Sequence, residues 1–578
     1  MKRLLGYLSK NLKETILAPL FKMLEASFEL LVPLVVANMI DIGVAGKDQG
    51  YLIRMGCLMA ALGIVGFISS ATAQYFAAKS AVSAGTAMRN DLFAHMGTFT
   101  YQEIDEIGTS TLITRMTSDI NQVQNGVNMF LRLFLRSPFV VLGAVFMAFV
   151  VDQRTAVVFA VTIPVLFIVV FLILLVSMPL YQNVQKQLDD VLQKTRENLL
   201  GIRVIRAFNR QESEMKEFDC SNQNLYRCQI FVGKISALLN PVTYVIINLG
   251  IIGVLWVGGK QVYAGRLTQG QVVALINYMS QILTELIKLA NLMILLSRTA
   301  ASLNRVESIF QIEGSIVDGS KDAEVLGAAE VAFDHVSYSY AGSKRPALED
   351  ISFCAMPGDT IGVIGGTGSG KTTLVNLIPR FYEAGAGKIR IGGQNIRDFR
   401  MENLREKIGF VPQKAALFRG TLRDNMRWGK QDATDEEIYE ALKTAQALDF
   451  VEQKGEGLDL MIQQNGRNLS GAQKQRLTIA RALVRRPSIL ILDDSASALD
   501  FATDARLRKA IARRTDQMTV FLVSQRVSAV KNADQILVLD NGRTAGKGTH
   551  RELLRNCQIY REICESQMTR EEVEADAR

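Results

Sequence analysis

Three uncharged stretches, Met55–Ala78, Thr155–Gln185 and Ile235–Gly259, each exceed the roughly 20 apolar residues that cross a lipid bilayer. They place the first half of the chain in hydrocarbon. Three further stretches read as spans although charges interrupt them. Thr15–Ile40 contains Lys22, Glu25 and Glu29; Asn128–Val151 carries Arg132 and Arg136 near its start; Gln271–Leu296 contains Glu285 and Lys288. Six spans put both ends of this region on one side of the membrane. The connections after the second and fourth spans are long and the other three short. The second long connection bears Lys186, Lys194, Arg196, Arg203, Arg206 and Arg210, and the N-terminus adds Lys2, Arg3, Lys10 and Lys13. This bias assigns the long connections and the N-terminus to the cytoplasm. Apolar residues at helical spacing (Leu112, Ile113, Met116, Ile120; Leu199, Leu200, Val204, Ile205) predict that the long connections are helical extensions of the spans. No short apolar segment with a small-residue cleavage site opens the chain, so the first span is expected to stay as an anchor.

The net charge of +8 is therefore topological, and no nucleic-acid partner is expected. Six scattered cysteines without CxxC spacing suggest neither a disulfide framework nor a zinc site.

Composition changes near residue 310. The expected divisions are a membrane domain at 1–310, a linker at 311–330, a soluble domain at 331–570 and a polar tail at 571–578. In the soluble part, the β-rich runs Thr360–Ile364, Ile489–Leu492 and Val520–Val523 alternate with helical patterns, which predicts an α/β domain with a largely parallel sheet. The first run leads into Gly365-Gly366-Thr367-Gly368-Ser369-Gly370-Lys371-Thr372, followed by Thr373, a match to GxxxxGK[ST] in its strand–turn–helix setting. Glycines there let backbone N–H groups wrap phosphates, Lys371 balances their charge, and Thr372 reaches Mg²⁺. Asp493 ends a second apolar strand, placed to hold Mg²⁺ through water. Between them lie Gln413 and the segment Leu469-Ser470-Gly471-Ala472-Gln473, whose small residues open a helix with N–H groups suited to a γ-phosphate.

The order Tyr340, GxxxxGK[ST], Gln413, LSGAQ, Asp493 and Ser497-Ala498-Leu499-Asp500 resembles the ATP-binding cassette. Six preceding spans with two long cytoplasmic connections resemble an exporter-type half-transporter. The implied fold is an α-helical transmembrane domain of six spans with long cytoplasmic helical extensions, followed by an α/β P-loop cassette. The resemblance implies that Tyr340 stacks on adenine, Lys371 and Thr372 hold phosphate and Mg²⁺, Gln413 senses Mg²⁺ and the membrane domain, and Asp500 lies in the D-loop. It also implies that two cassettes close head to tail, each ATP lying between one chain's Walker A and the other's signature. Segments near Ile107–Leu112 and Gly201–Phe208 resemble the coupling helices.

Two positions depart from the family pattern, and both concern hydrolysis. Where the family has Glu after the Walker B aspartate, this chain has Asp494, one methylene and about 1.5 Å shorter. Where the family has a switch histidine at the γ-phosphate stands Gln525, which keeps a hydrogen bond but cannot become cationic. Gln464, upstream of the signature, also stands where such exporters often have Glu. The combination resembles the degenerate-site subunit of heterodimeric bacterial multidrug exporters, working with ATP and Mg²⁺ in the cell membrane beside a second, non-identical half-transporter. Neutral drift in a homodimer is the alternative. A lipid or peptide exporter, an importer of the same architecture, and an ATP-gated channel or sensor would share these motifs.

Glu25 and Glu29 lie one helical turn apart, and Glu285 sits in the sixth span. They read either as a cavity that attracts a small amphipathic, cationic substrate or as structural pairs such as Lys22 with Glu25 and Glu285 with Lys288.

Overall fold

A computed structural model describes residues 2–322, 329–495, 499–513 and 518–577. Ser497 and Ala498 of the expected D-loop lie outside the described residues. The chain forms two compact units, one of residues 1–97 and 110–312, the other of 98–109 and 313–578.

The first unit is helical because hydrocarbon offers backbone groups no partner outside the segment, and an α-helix satisfies each of them internally. Among the described residues, six stretches are long and apolar enough to cross a membrane: Leu12–Val44, Gln49–Met96, Thr109–Val151, Gln153–Leu200, Gln211–Tyr263 and Gln269–Phe310. Gln49–Met96 and Gln153–Leu200 are unbroken helices of 48 residues each. At 1.5 Å per residue each reaches ~72 Å, more than twice a bilayer's hydrocarbon thickness, so the amphipathic connections do continue the spans. Polar side chains mark the starts. Asp48 accepts from Tyr51 N–H at 3.0 Å, Asp152 from Thr155 N–H at 2.8 Å, and Thr268 forms a capping box with Gln271. Along the second stretch Ala73, Ala77, Ala81 and Ala84 are buried at nearly four-residue spacing, a strip of small side chains that lets helices approach closely.

The second unit contains twelve strands among its described residues. They are β1 (Val331–Tyr338), β2 (Leu348–Ala355), β3 (Thr360–Gly365), β4 (Ala386–Ile391), β5 (Gln394–Asn395), β6 (Ile408–Val411), β7 (Gly420–Thr421), β8 (Met461–Ile462), β9 (Ile489–Asp493), β10 (Thr519–Val523), β11 (Gln535–Asp540) and β12 (Arg543–Gly548). The central sheet runs β12-β11-β3-β10-β9-β6, parallel except for β12, and an antiparallel sheet runs β2-β1-β4-β5. Side chains of β9 and β10 alternate between two apolar cores. Ile489, Ile491, Phe521 and Val523 pack with the antiparallel sheet, while Leu490, Leu492, Val520 and Leu522 face the helices. Both faces are covered, which is why these strands read as continuous apolar runs.

Two local expectations need correction. The first short helix of the long connections is Tyr101–Ile107, upstream of the expected Ile107–Leu112, and it packs in the second unit. Thr100 and Glu103 form its capping box, and Gly108, at φ 80°, ends it. Glu103 also accepts from Ser315 N–H at 3.1 Å, Tyr101 packs on Phe381 with ring centroids 4.5 Å apart, and Tyr382 Oη donates to Asp105 at 2.7 Å. The second short helix, Ile202–Ala207, falls within Gly201–Phe208. The expected polar tail at 571–578 is instead the helix Arg570–Ala577. Its first turn is capped by Thr569, and Val573 is buried.

Tyr382→Phe removes one hydrogen bond worth about 1 kcal/mol. Amides of Tyr101–Ile107 should then exchange with solvent about five- to tenfold faster while those of β3 and β10 stay unchanged, a contrast that hydrogen-exchange mass spectrometry reads directly.

Candidate functional site

The loop after β3 closes on itself because glycine occupies its tight positions. Gly370 has φ 99°, and a Cβ there would lie 2.8 Å from the Ala347 carbonyl oxygen; at Gly365 a Cβ would lie 2.1 Å from that of Leu539. Lys371 opens the helix Lys371–Leu377, and its Nζ donates to the carbonyls of Gly365 at 2.8 Å and Gly366 at 2.6 Å. Its ammonium is held below the ordinary lysine range by burial, with Asp494 and Asp493 opposing that shift.

Parallel register brings the other groups to the same sheet edge. β9 and β10 pair with Asp493 opposite Val523, so Asp493, Asp494 and Gln525 emerge together beside the loop after β3. Thr372 Oγ1 donates to Asp493 at 3.0 Å. Burial pushes the Asp493 carboxyl above its usual range, partly offset by the Thr372 hydrogen bond and reinforced by the charge of Asp494. Asp494 adopts left-handed backbone, φ 44°, its N–H bonded to the Val523 carbonyl at 3.0 Å, and its carboxylate accepts from Gln413 Nε2 at 3.2 Å. Tyr340 donates or accepts at Thr373 Oγ1 (3.0 Å) and meets Tyr338 and Tyr382 edge-on.

These groups line one cleft of about 360 Å³, which takes in Tyr340, Thr367, Gly368, Gly370, Lys371, Thr372, Thr373, Gln413, Asp493, Asp494 and Gln525. Gly365, Gly366 and Ser369 complete the loop behind it. The hydroxyl, carboxylate and amide of Thr372, Asp493 and Gln413 form a set of hard oxygen donors that suits Mg²⁺ and could hold it. Ser470, Gly471, Gln473 and Asp500 are not among the lining residues. Ser470 caps the helix Gly471–Val484 in a capping box with Gln473, and Asp500 caps Phe501–Ala512 by accepting from Thr503 N–H at 2.9 Å. Sequence reasoning missed Ala347 and Val523, which close the cleft with no motif of their own.

Glu25, Glu29 and Glu285 are paired. Glu25 accepts from Lys22 at 2.5 Å and Glu285 from Lys288 at 2.8 Å. Arg136, read from sequence only as a charge near the start of a span, joins them: it donates to Glu285 at 2.5 Å and Glu29 at 2.6 Å, and approaches Glu25 at 4.0 Å. Ser137 adds a bond to Glu285 at 2.8 Å. Three carboxylates therefore face three cations in this cluster. The Glu285 side chain is 3% exposed and that of Glu29 40%, so Glu29 is the carboxylate of the set most accessible to anything else.

Comparison with known proteins agrees with both units. The model for the ABC transporter transmembrane region matches residues 15–286, and that for the ABC transporter family matches 348–497. An uncharacterized ABC transporter ATP-binding protein of Bacillus subtilis (strain 168), YfiB, is 36% identical over 571 residues, covering 99% of each chain. The probable multidrug resistance ABC transporter ATP-binding/permease protein YheI of the same organism is 33% identical, covering 83% of this chain and 82% of its own. A solved bacterial Atm1-family ABC exporter with ATP bound superposes with a TM-score of 0.78 at 22% identity, covering 96% of this chain and 98% of its own.

Two outcomes follow from the geometry. Gly370→Ala forces a Cβ into the Ala347 carbonyl, so nucleotide binding, read by fluorescence titration, should be lost from a protein that still folds; binding at unchanged affinity would refute the account of this loop. Arg136→Met leaves Glu285 buried with less compensation, at a cost of about 3–5 kcal/mol for a broken buried pair. Its thermal unfolding midpoint should fall well below that of Glu29→Gln, which alters a half-exposed partner.

Proposed function

Since the chain belongs to the ABC transporter family, as an exporter half-transporter with a transmembrane region and an ATP-binding domain, we propose that it is the degenerate-site subunit of a heterodimeric efflux pump. The observation that carries this reading is Asp494: at the position following Asp493 it has the shorter carboxylate, and Gln413 engages that carboxylate at 3.2 Å. A general base must reach its water within hydrogen-bond distance, and a misplacement near 1 Å costs about 100-fold. Gln525 completes the pattern, a neutral hydrogen-bonding group at the γ-phosphate in place of a titratable one.

On this reading the chain binds ATP through Tyr340, the Gly365–Thr373 loop and Gln413, with Mg²⁺ held at Thr372 and Asp493, and hydrolyses it slowly. Ser470, Gly471 and Gln473 serve the other composite site, whose Walker motifs come from a different half-transporter; Asp500 lies in the D-loop between the two sites. The pump sits in a bacterial plasma membrane with the N-terminus and the ATP-binding domain in the cytoplasm, as the Lys and Arg bias favours. Its cargo is a small amphipathic molecule, a class supported by the likeness to a probable multidrug resistance transporter. Lys22, Arg136 and Lys288 balance the three carboxylates of the membrane cluster, and Glu29, bonded to Arg136 but 40% exposed, is the one most open to a cationic cargo.

The test is steady-state ATPase of the full chain purified by itself. It should be slow, and Asp494→Glu with Gln525→His should raise kcat by about 100-fold with little change in ATP affinity. Turnover of several per second, about the median of natural enzymes, by the unaltered chain alone would overturn the degenerate-site reading. Efflux of a cationic dye from cells producing this chain with its co-purifying half-transporter tests the cargo class; movement of a labelled phospholipid without dye efflux would replace it with a lipid cargo.

A further inference from the structure

The segment that presents Gln525 is gripped by one side chain from near the C-terminus. Gln567 Nε2 donates to the Gln525 carbonyl at 2.8 Å, and Gln567 Oε1 accepts from the Val527 N–H at 2.9 Å. One partner can only accept and the other only donate, so the orientation of the amide is fixed by chemistry. The side chain thus pairs with the backbone on both sides of Arg526 as a neighbouring strand would. Ser524 and Val527 are buried while Gln525 is exposed at the cleft, so the aim of Gln525 depends on the path of this short stretch. Beyond it, Arg508 donates to the Ser528 carbonyl at 2.5 Å, which fixes the following turn but not Gln525 itself.

Gln567 is in turn well anchored. Its own N–H donates to the Cys564 carbonyl at 3.0 Å at the end of the helix Gln558–Glu565, where Tyr560 and Cys564 are fully buried. On its other side Thr569 caps the helix Arg570–Ala577. That helix is tied down by buried Val573, by Asp576 at 3.2 Å from His550 Nε2, and by the Ala577 carbonyl at 2.8 Å from Arg555 Nε.

We propose that Gln567 is a positioning residue for nucleotide recognition: through the backbone of Gln525 and Val527 it holds the Gln525 side chain where a γ-phosphate is read. It touches no nucleotide. The proposal rests on the reading of Gln525 as the group at the γ-phosphate. Among the described residues no hydrogen bond joins Gln567 to the loop Gly365–Thr373, which binds the other phosphates, so loss of Gln567 weakens a nucleoside triphosphate more than a diphosphate. A merely structural role would weaken both alike.

The experiment uses the full chain in detergent, titrated with a non-hydrolysable ATP analogue and with ADP, together with hydrogen exchange in the absence of nucleotide. In Gln567→Met the Val527 amide should exchange faster, and the preference for triphosphate over diphosphate should fall by about tenfold, the lower end for a hydrogen bond to a charged group, with ADP affinity unchanged. Gln525→Ala should lower the same ratio, and adding Gln567→Met to it should lower it no further, since the two act through one contact. If Gln567→Met does not fold, Gln567→Glu keeps the volume and the acceptor for Val527 but sets a carboxylate oxygen against the Gln525 carbonyl, and should show the same change at least as large. A ratio that responds to Gln525→Ala but not to Gln567→Met overturns the clamp alone. Equal loss of both nucleotides also overturns it. A ratio indifferent to Gln525→Ala overturns the reading of Gln525, and the clamp with it.

Discussion

Hydrocarbon supplies no hydrogen-bond partner, and the architecture of the first half of the chain follows from that lack. Backbone groups are satisfied within the helices. A charge that enters must bring its own partner, since an isolated buried charge costs several kcal/mol. Arg136 meets this condition for three helices at once, bonding Glu29 and Glu285 across 107 and 149 residues of sequence. The same condition explains why the interrupted spans tolerate their charges: Lys22 with Glu25 and Glu285 with Lys288 are close in sequence, and Arg136 connects the two pairs.

What could be read from sequence divides along that line. The six spans were legible because the bilayer imposes composition over a whole segment, so even spans bearing Glu29 or Glu285 keep their signal. The short pairs one turn apart were legible too, because helix geometry fixes which neighbours meet. The place of Arg136 was not, since nothing local specifies a partner on another helix. Two local signals were present and carried more than composition suggested. Thr100 with Glu103, and Thr569 with Glu572, are Thr-x-x-Glu starts, and each opens a helix where sequence reasoning had placed a segment a few residues downstream or a polar tail.

In the ATP-binding domain the loop Gly365–Thr373 was legible because its glycines are demanded by backbone geometry. Asp493 was legible because it ends an apolar strand, and Asp494 and Gln525 through the resemblance to the cassette; a parallel sheet delivers these strand ends to one edge. Gln567 gave no such signal. A side-chain amide that mimics a strand needs only to arrive at the right place, and it arrives there through the packing of Tyr560, Cys564 and Val573, which tertiary structure alone brings together.

The distribution of the departures from the family pattern has its own logic in the sheet. β10 lies between β3 and β9, so the loop that wraps phosphates and the two positions that differ emerge from three adjacent strands. The unaltered set, Gly365 to Thr373 with Asp493, is held together by Lys371 on its own loop carbonyls and by Thr372 on Asp493. The altered set, Asp494 and Gln525, sits at the outer ends of β9 and β10 and is held by different bonds: the Asp494 N–H on Val523, and Gln567 on the Gln525 backbone. The two sets are held by different bonds at one sheet edge, and Gln413, which bonds the Asp494 carboxylate, lies where they meet. The register of two neighbouring parallel strands, with Asp493 opposite Val523, is what brings both sets to that edge.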